Sequence, residues 1–212
     1  MKKLIKKYDE LQDKYGSKEL NSVYGYGCFN NPKVALVFMN PTKRNVATNK
    51  SWKGIRAQWL GTKQIWDFLT KCDLFDKNIN NDIKSKTSKD WTPEFCEYVY
   101  EKVNEKGLWI TNLAKCSQDD ARELPDSVFM EYKDLLKEEL VKVNTSKIFF
   151  FGNQVSSIML DETITVSTSR RKKFMINING KEYESYAVYY PVGNGRFNQD
   201  KAIEDIKTIL NN

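Results

Sequence analysis

The stretch "VALVFMNPT", residues 34–42, decides the fold class of this chain of 212 residues. Its first six residues are all apolar, which is typical of a β-strand covered on both faces of a sheet. Asn40 and Pro41 then end the strand, because both residue types favour turns and proline cannot donate a sheet hydrogen bond. Similar apolar runs at 108–113 and 147–152 predict two further buried strands.

Helical patterns separate these strands. Apolar residues recur at helical spacing near the N-terminus, at 61–72 and at 125–143, and a closing helix follows residue 198. The segment 91–107 starts with a threonine suited to the N-cap and a proline suited to the first helical turn. Strands alternating with helices predict a three-layer α/β/α sandwich around a short, mostly parallel sheet, in a single domain spanning 1–212.

The C-terminal third predicts an antiparallel hairpin. Apolar residues alternate at 174–178, and a second strand-like run follows at 183–191. Asn179 and Gly180 between them suit a tight type I′ turn, which needs two residues with positive φ.

Composition excludes several kinds of chemistry. The chain contains no histidine, which removes Ser-His-Asp triads, Cys-His dyads and most catalytic zinc sites. Its four cysteines are far apart in sequence, so free thiols are expected, with no metal site. No apolar run is long enough to cross a bilayer, and the N-terminal lysines interrupt every apolar run there. We expect a cytoplasmic protein with no membrane contact; the net charge of +6 permits a polyanionic partner.

Ligands of parallel α/β sheets bind beyond the carboxyl ends of the strands, and three polar positions are expected to meet there. Asn40 follows the first strand, Asn112 ends the second, and Tyr190 ends the last. Asn40 and Asn112 have an ordinary structural explanation, as a turn residue and as an amide that holds a neighbouring loop. The functional alternative is that a carboxamide reads the adjacent carbonyl and N–H of a flat ligand such as a pyrimidine.

The loop 189–200 contains glycines at spacing G-x-G, followed by an arginine and a phenylalanine. Gly193 and Gly195 would let the backbone approach a phosphate, which Arg196 could bind. Phe197 could enter a base stack as a wedge. A flexible connection that ends in a helix N-cap at Asn198 is the alternative.

Further candidate contacts lie on cationic and aromatic positions. Lys43 and Arg44 follow the first strand, and Arg170 and Arg171 belong to a run of four cations that is either a solvated loop or a phosphate-binding surface. Trp52 lies in the polar region after the Asn-Pro turn, where its ring could cover a flat ligand.

Taken together, these segments resemble the uracil-DNA glycosylase superfamily over most of the chain. "FMNPT" (38–42) resembles the first family motif, whose Asn positions the attacking water, and "ITNLAKC" (110–116) resembles the strand whose Asn binds the uracil edge. "YYPVGNGRFN" (189–198) occupies the place of the second motif, His-Pro-Ser, and of the loop that enters the minor groove. The resemblance implies catalytic roles for Asn40 and Tyr190.

The resemblance also implies base contacts from Asn112, Met39 and Trp52, and DNA contacts from the cationic and glycine-loop residues above. DNA, as a single strand or a mismatched duplex, is the implied partner of a monomer that needs no cofactor, and we expect no iron–sulfur cluster.

The departures from the family pattern bear on mechanism. Phe38 and Thr42 replace flanking glycines, and Tyr190-Pro191-Val192 stands where the family has His-Pro-Ser. The family histidine donates to the base oxygen, a role that the tyrosine hydroxyl would have to take. Two alternatives therefore stay open: a catalytically silent nucleic-acid-binding module of the same fold, and a hydrolase of free nucleosides or nucleotides.

Overall fold

The protein is described by a computed structural model over residues 1–120 and 124–211. Within these residues it is a mixed α/β structure with seven α-helices and one six-stranded sheet. The helices are α1 (Lys2–Tyr15), α2 (Gln64–Lys71), α3 (Lys77–Ser85), α4 (Pro93–Glu105), α5 (Asp126–Val143), α6 (Asn153–Leu160) and α7 (Gln199–Leu210). The strands are β1 (Tyr26–Gly27), β2 (Val34–Phe38), β3 (Leu108–Asn112), β4 (Lys147–Phe151), β5 (Phe174–Ile178) and β6 (Lys181–Val188).

The sheet is parallel in its centre and antiparallel at both edges. Its strand order is β1-β3-β2-β4-β6-β5, in which β3, β2, β4 and β6 run parallel. The edge strands β1 and β5 pair antiparallel with β3 and β6. The predicted alternation of strands and helices is confirmed as a mixed α/β fold, and the carboxyl ends of the four central strands lie at one edge of the sheet.

Two hydrophobic cores cover the two faces of the sheet. Alternate residues of each strand enter opposite cores, as the pleat requires: Leu36 packs with residues of α2, α3, α4 and α7, whereas Val37 packs with residues of α1, α5 and α6. Residues buried on both faces explain why the central strands are apolar without alternation.

Local sequence signals fixed several element ends. The Thr92 side chain accepts a hydrogen bond from the Phe95 backbone N–H at the start of α4, as predicted for an N-cap. Asn179 and Gly180 have φ values of 53° and 82°, as the predicted hairpin turn between β5 and β6 needs. Strand β1 and helix α3 were not predicted, since β1 has two residues and α3 carries few apolar positions.

A buried ion pair lies between the sheet and α5. The side chains of Lys115 and Glu139 are fully buried, with Nζ 3.1 Å from Oε2. Tyr8 and Trp109 donate hydrogen bonds of 2.7 and 2.9 Å to the two oxygens of Glu139. Burial lowers the pKa of Lys115, and the attraction of Glu139 opposes this effect. The pair is therefore surrounded by hydrogen-bond partners, which a buried charge requires.

An acid-sensitive contact joins α2 to α3. Asp67 on α2 pairs with Lys84 and Lys71, which together with Asn80 lower the pKa of Asp67 from 3.8 to about 2. A carboxylate with a depressed folded-state pKa stabilises the fold above its unfolded pKa, and this contribution is lost as pH falls through the folded value. We expect Asp67→Asn to cost about 1 kcal/mol of unfolding free energy at pH 6, after allowance for solvent screening.

Urea unfolding of both proteins at a series of pH values measures this difference. The difference in unfolding free energy between wild type and Asp67→Asn should become smaller as pH falls from about 4 to 2. Asp82→Asn is a matched control on α3, because Asp82 is exposed and makes no side-chain ion pair within the described chain. A difference in unfolding free energy that does not change with pH would contradict a stabilising role for the ionised Asp67 carboxylate.

None of the helices in the described residues is both long enough and apolar enough to cross a membrane.

Candidate functional site

The carboxyl ends of β2 and β3 bring two of the predicted residues to one face of the sheet. Phe38 lies opposite Asn112 in the parallel register of the two strands. Phe38 and Ile110 enter the same core, so strand alternation places Asn112 on that face, and Asn40 follows two residues beyond Phe38, outside the strand. Backbone pairing continues past the strand ends, since the Leu113 N–H donates to the Phe38 carbonyl at 2.7 Å.

Phe38 is the centre of an aromatic group at this edge. Its ring stacks on Phe151 of β4 with centroids 4.2 Å apart and planes 9° apart. Trp59 and Tyr190 approach Phe38 edge-on, at 5.0 and 6.0 Å between centroids. Tyr190 therefore reaches Phe38 from the end of β6, Asn112 reaches it from β3, and Asn40 follows Phe38 by two residues in the sequence.

The Asn112 amide is held in one orientation by Gln58. The Gln58 amide nitrogen donates to the backbone carbonyls of Val23 and Tyr24, at 3.3 and 3.5 Å. The Gln58 Oε1 is therefore left to accept from Asn112 Nδ2, at 2.8 Å. Asn112 is 1% exposed, and its buried Oδ1 has no hydrogen-bond partner among the described residues. This network assigns the free atom of Asn112 as an acceptor.

Trp59 supplies an unpartnered donor beside the same phenylalanine. Its indole Nε1 is buried and donates to nothing in the described parts of the chain. The residue has φ 63°, which is uncommon for a bulky side chain, and its carbonyl accepts from Thr62 and Trp66. Because buried polar groups normally have partners, a free acceptor and a free donor near Phe38 call for a ligand or water.

Asn40 and Tyr190 keep polar atoms available. The half-buried Asn40 donates from Nδ2 to the Pro41 carbonyl at 3.3 Å, and its Oδ1 accepts from no described residue. The half-buried Tyr190 hydroxyl likewise makes no hydrogen bond to the described chain. Burial raises the pKa of Tyr190, so this hydroxyl stays protonated and can donate.

The buried ion pair of Lys115 and Glu139 also holds the carboxyl end of β3 in place. Lys115 Nζ donates to Thr111 Oγ1 at 2.8 Å and to the backbone carbonyl of Asn112. The end of β3 is thus tied through Lys115 to Glu139 on α5.

A separate cavity of about 680 Å³ joins two other predicted residues, Lys43 and Trp52. Lys53, Lys89 and Trp91 also line it. The Trp52 Nε1 donates to the Ile55 carbonyl at 2.9 Å, so the indole is fixed in place. Asn40, Asn112 and Tyr190 do not line this cavity.

The predicted glycine loop forms a short 3₁₀ helix, Gly193–Asn198, that leads into α7. Gly193 has φ 60°, and a Cβ at Gly195 would lie 2.0 Å from the Tyr190 carbonyl oxygen. Gly195 is thus needed for close packing behind Tyr190. Phe197 is 81% exposed, with the Arg196 guanidinium 5.3 Å from its ring centroid. The Asn198 side chain makes no capping hydrogen bond.

The remaining predicted residues are spread over the surface. Arg170 and Arg171 both pair with Glu204 and Asp205 of α7, so neither guanidinium is free for a phosphate in this arrangement. Arg44 is exposed.

Met39 is half-buried and packs against the core on the opposite face from Phe38, which separates it from the aromatic group.

Sequence reasoning missed Gln58, Trp59, Lys115 and Glu139. No motif marks any of them, and each acquires its importance from a partner distant in sequence. The run of three tryptophans at 52–66 was the one available signal for Trp59.

Comparison with family models gives no match for this chain, and comparison with curated protein sequences gives none either.

Proposed function

We propose that this protein is a DNA glycosylase that removes uracil or a related deaminated base from DNA. The observation that supports it best is the free Asn112 acceptor beside Phe38, at the edge that Asn40 and Tyr190 also reach. The α/β sandwich with a uracil-DNA glycosylase-like arrangement is part of the same proposal.

The polar atoms near Phe38 suit the edge of a deaminated base. Deamination replaces an amino group by a carbonyl and turns the adjacent ring nitrogen from an acceptor into an N–H donor. Asn112 Oδ1 would accept this N–H, while Trp59 Nε1 or the Tyr190 hydroxyl would donate to a base carbonyl. Cytosine instead presents a bare ring nitrogen, which would face the Asn112 acceptor with no proton between them, and an amino group in place of one carbonyl, which would face a donor.

Hydrolysis would need a flipped nucleotide and a positioned water. Extrusion of the base costs about a few kcal/mol, and less from a single strand or a mismatch. The free Oδ1 of Asn40 would orient water toward the anomeric carbon, and the neutral Tyr190 hydroxyl would stabilise negative charge on the departing base. A carboxamide is not a strong base, so slow turnover is expected.

DNA contacts would come from the loops around this edge. Lys43, Arg44 and Arg196 are exposed cations for the phosphates, and Phe197 is exposed enough to fill the space that a flipped base leaves. Arg170 and Arg171 would contribute only after exchange of their α7 carboxylates for phosphate.

A catalytically silent nucleic-acid-binding module is the second candidate function. The burial of Asn112 favours it, because at 1% exposure a base can reach the amide only after neighbouring side chains move.

Release of uracil from synthetic oligonucleotides tests the proposal. Wild-type protein should leave alkali-labile abasic sites in a uracil-containing single strand or a G·U duplex, and Asn40→Ala should be about 100-fold slower because the water is no longer oriented. Asn81→Ala, an exposed asparagine on α3, is the matched control. Strand binding with no base released from either substrate would refute the glycosylase and establish the silent module.

A further inference from the structure

We infer that the cavity between residues 43–53 and 88–93 is a binding groove for a nucleotide of the DNA strand beside the flipped base. The inference rests on the proposed function insofar as both require a nucleic-acid strand. The groove is distinct from the Phe38 site, whose polar residues do not line it.

The charge of the groove suits a phosphate. Lys43, Lys53 and Lys89 line it, against Glu19 as the one acidic lining residue among those that the structure describes. All three lysines are exposed, and none forms an ion pair with a residue of the described ranges 1–120 and 124–211. Unpaired lysines around a concave surface raise the local concentration of anions and bind backbone phosphates.

The aromatic wall of the groove suits a base. Trp52 is half-buried, and its ring is held by the hydrogen bond to Ile55 and by contact with Gly54. A Cβ at Gly54 would lie 2.8 Å from the Trp52 ring and 3.0 Å from Pro93, so the close approach requires glycine. A fixed indole loses little entropy when a base stacks on it.

A second observation points to a ligand. Trp91 lines the same groove, is 2% exposed, and has an indole Nε1 without a hydrogen-bond partner in the described chain. An acceptor such as a base carbonyl or a phosphate oxygen would satisfy it.

The chain connects the groove to the Phe38 site over a short distance in sequence. Lys43 follows Asn40 by three residues, and its backbone N–H is fixed to the Gln118 carbonyl at 2.9 Å. A strand with one base at Asn112 would therefore lead its neighbouring nucleotide toward Lys43 and Trp52.

Fluorescence anisotropy with a labelled oligo(dT) strand that contains no uracil tests the groove without any catalysis. Trp52→Ala should weaken binding about 10-fold through lost stacking. The double variant Lys53→Gln and Lys89→Gln should lower the slope of log binding constant against log salt concentration by about one for each lysine. Lys3→Gln, at an exposed lysine near the start of α1 that does not line the groove, is the matched control and should leave both the affinity and its salt dependence unchanged.

Competition by free dTMP separates the two sources of a nucleotide. Displacement only by oligonucleotide assigns the groove to a polymer strand, and displacement by dTMP at similar concentration assigns it to a single nucleotide; both support the groove. If Trp52→Ala and the double lysine variant bind like Lys3→Gln, the groove is not a nucleotide site. That result leaves base release by the Phe38 site as a separate question, because the probe has no excisable base.

Discussion

Glu139→Gln is expected to lower the free energy of unfolding by about 3–5 kcal/mol, the largest stability effect that the structure predicts. The substitution removes the carboxylate that lies 3.1 Å from the fully buried Lys115 ammonium, which pairs with no other acidic group in the described residues. Lys115 keeps its neutral partners Thr111 and the Asn112 carbonyl, but these do not offset the loss of hydration. Urea unfolding followed by circular dichroism measures the loss.

Two variants make this expectation specific. Glu138→Gln changes the neighbouring residue, which pairs with Lys142 at the surface of α5 and should cost less than about 1 kcal/mol. Combining Lys115→Met with Glu139→Gln removes the unpaired charge, and the glutamine still offers partners to Tyr8 and Trp109, so part of the stability should return. An equal loss of unfolding free energy in Glu139→Gln and Glu138→Gln would show that the buried ion pair contributes no more to stability than the surface pair.

Asn112→Ala is expected to lower the rate of uracil excision by about 100-fold or more, the largest effect on activity. The substitution removes the free acceptor that we propose binds the base N–H, and also the donor that binds Gln58. Lost activity could follow from disturbed structure alone, so stability has to be measured in the same variant. Loss of the Gln58 hydrogen bond should cost about 1–2 kcal/mol.

Gln58→Leu provides the matched control. It breaks the same hydrogen bond from the other side and also removes the donor to the Val23 and Tyr24 carbonyls, so its cost in stability should be at least as large, while the Asn112 side chain stays in the site. We therefore expect Gln58→Leu to lose less excision activity than Asn112→Ala at equal or greater destabilisation. Equal losses of activity in the two variants would leave the Asn112 side chain no role beyond its hydrogen bond with Gln58.

The general fold was predictable because its signals are local. Uninterrupted apolar runs identified the buried strands β2, β3 and β4, and Asn179-Gly180 identified the hairpin. Strand β1 exists through its pairing with β3, and α3 presents only Ile79 and Ile83 to the hydrophobic core in a polar segment. Neither element has a periodic pattern of its own to detect.

The candidate site was predictable only in its strand-end residues. Asn40, Asn112 and Tyr190 could be placed because parallel strands end at one edge. Gln58 and Lys115 could not, since glutamine and lysine are ordinarily exposed and their burial here depends on partners in distant segments. A sequence alone also does not show which end of an amide is free, which at Asn112 follows from a hydrogen bond to Gln58.

The tie between Lys115 and the Asn112 carbonyl has a consequence for how a ligand can enter. Fraying at the carboxyl end of β3 would remove a partner from the buried Lys115 ammonium. Local opening there should therefore cost nearly as much free energy as unfolding the whole domain. Backbone amides at this position should accordingly exchange with solvent only as slowly as the most protected part of the molecule. Under the proposed function, the movement that admits a base should therefore arise in the connections 41–62 and 189–198, while the end of β3 stays fixed.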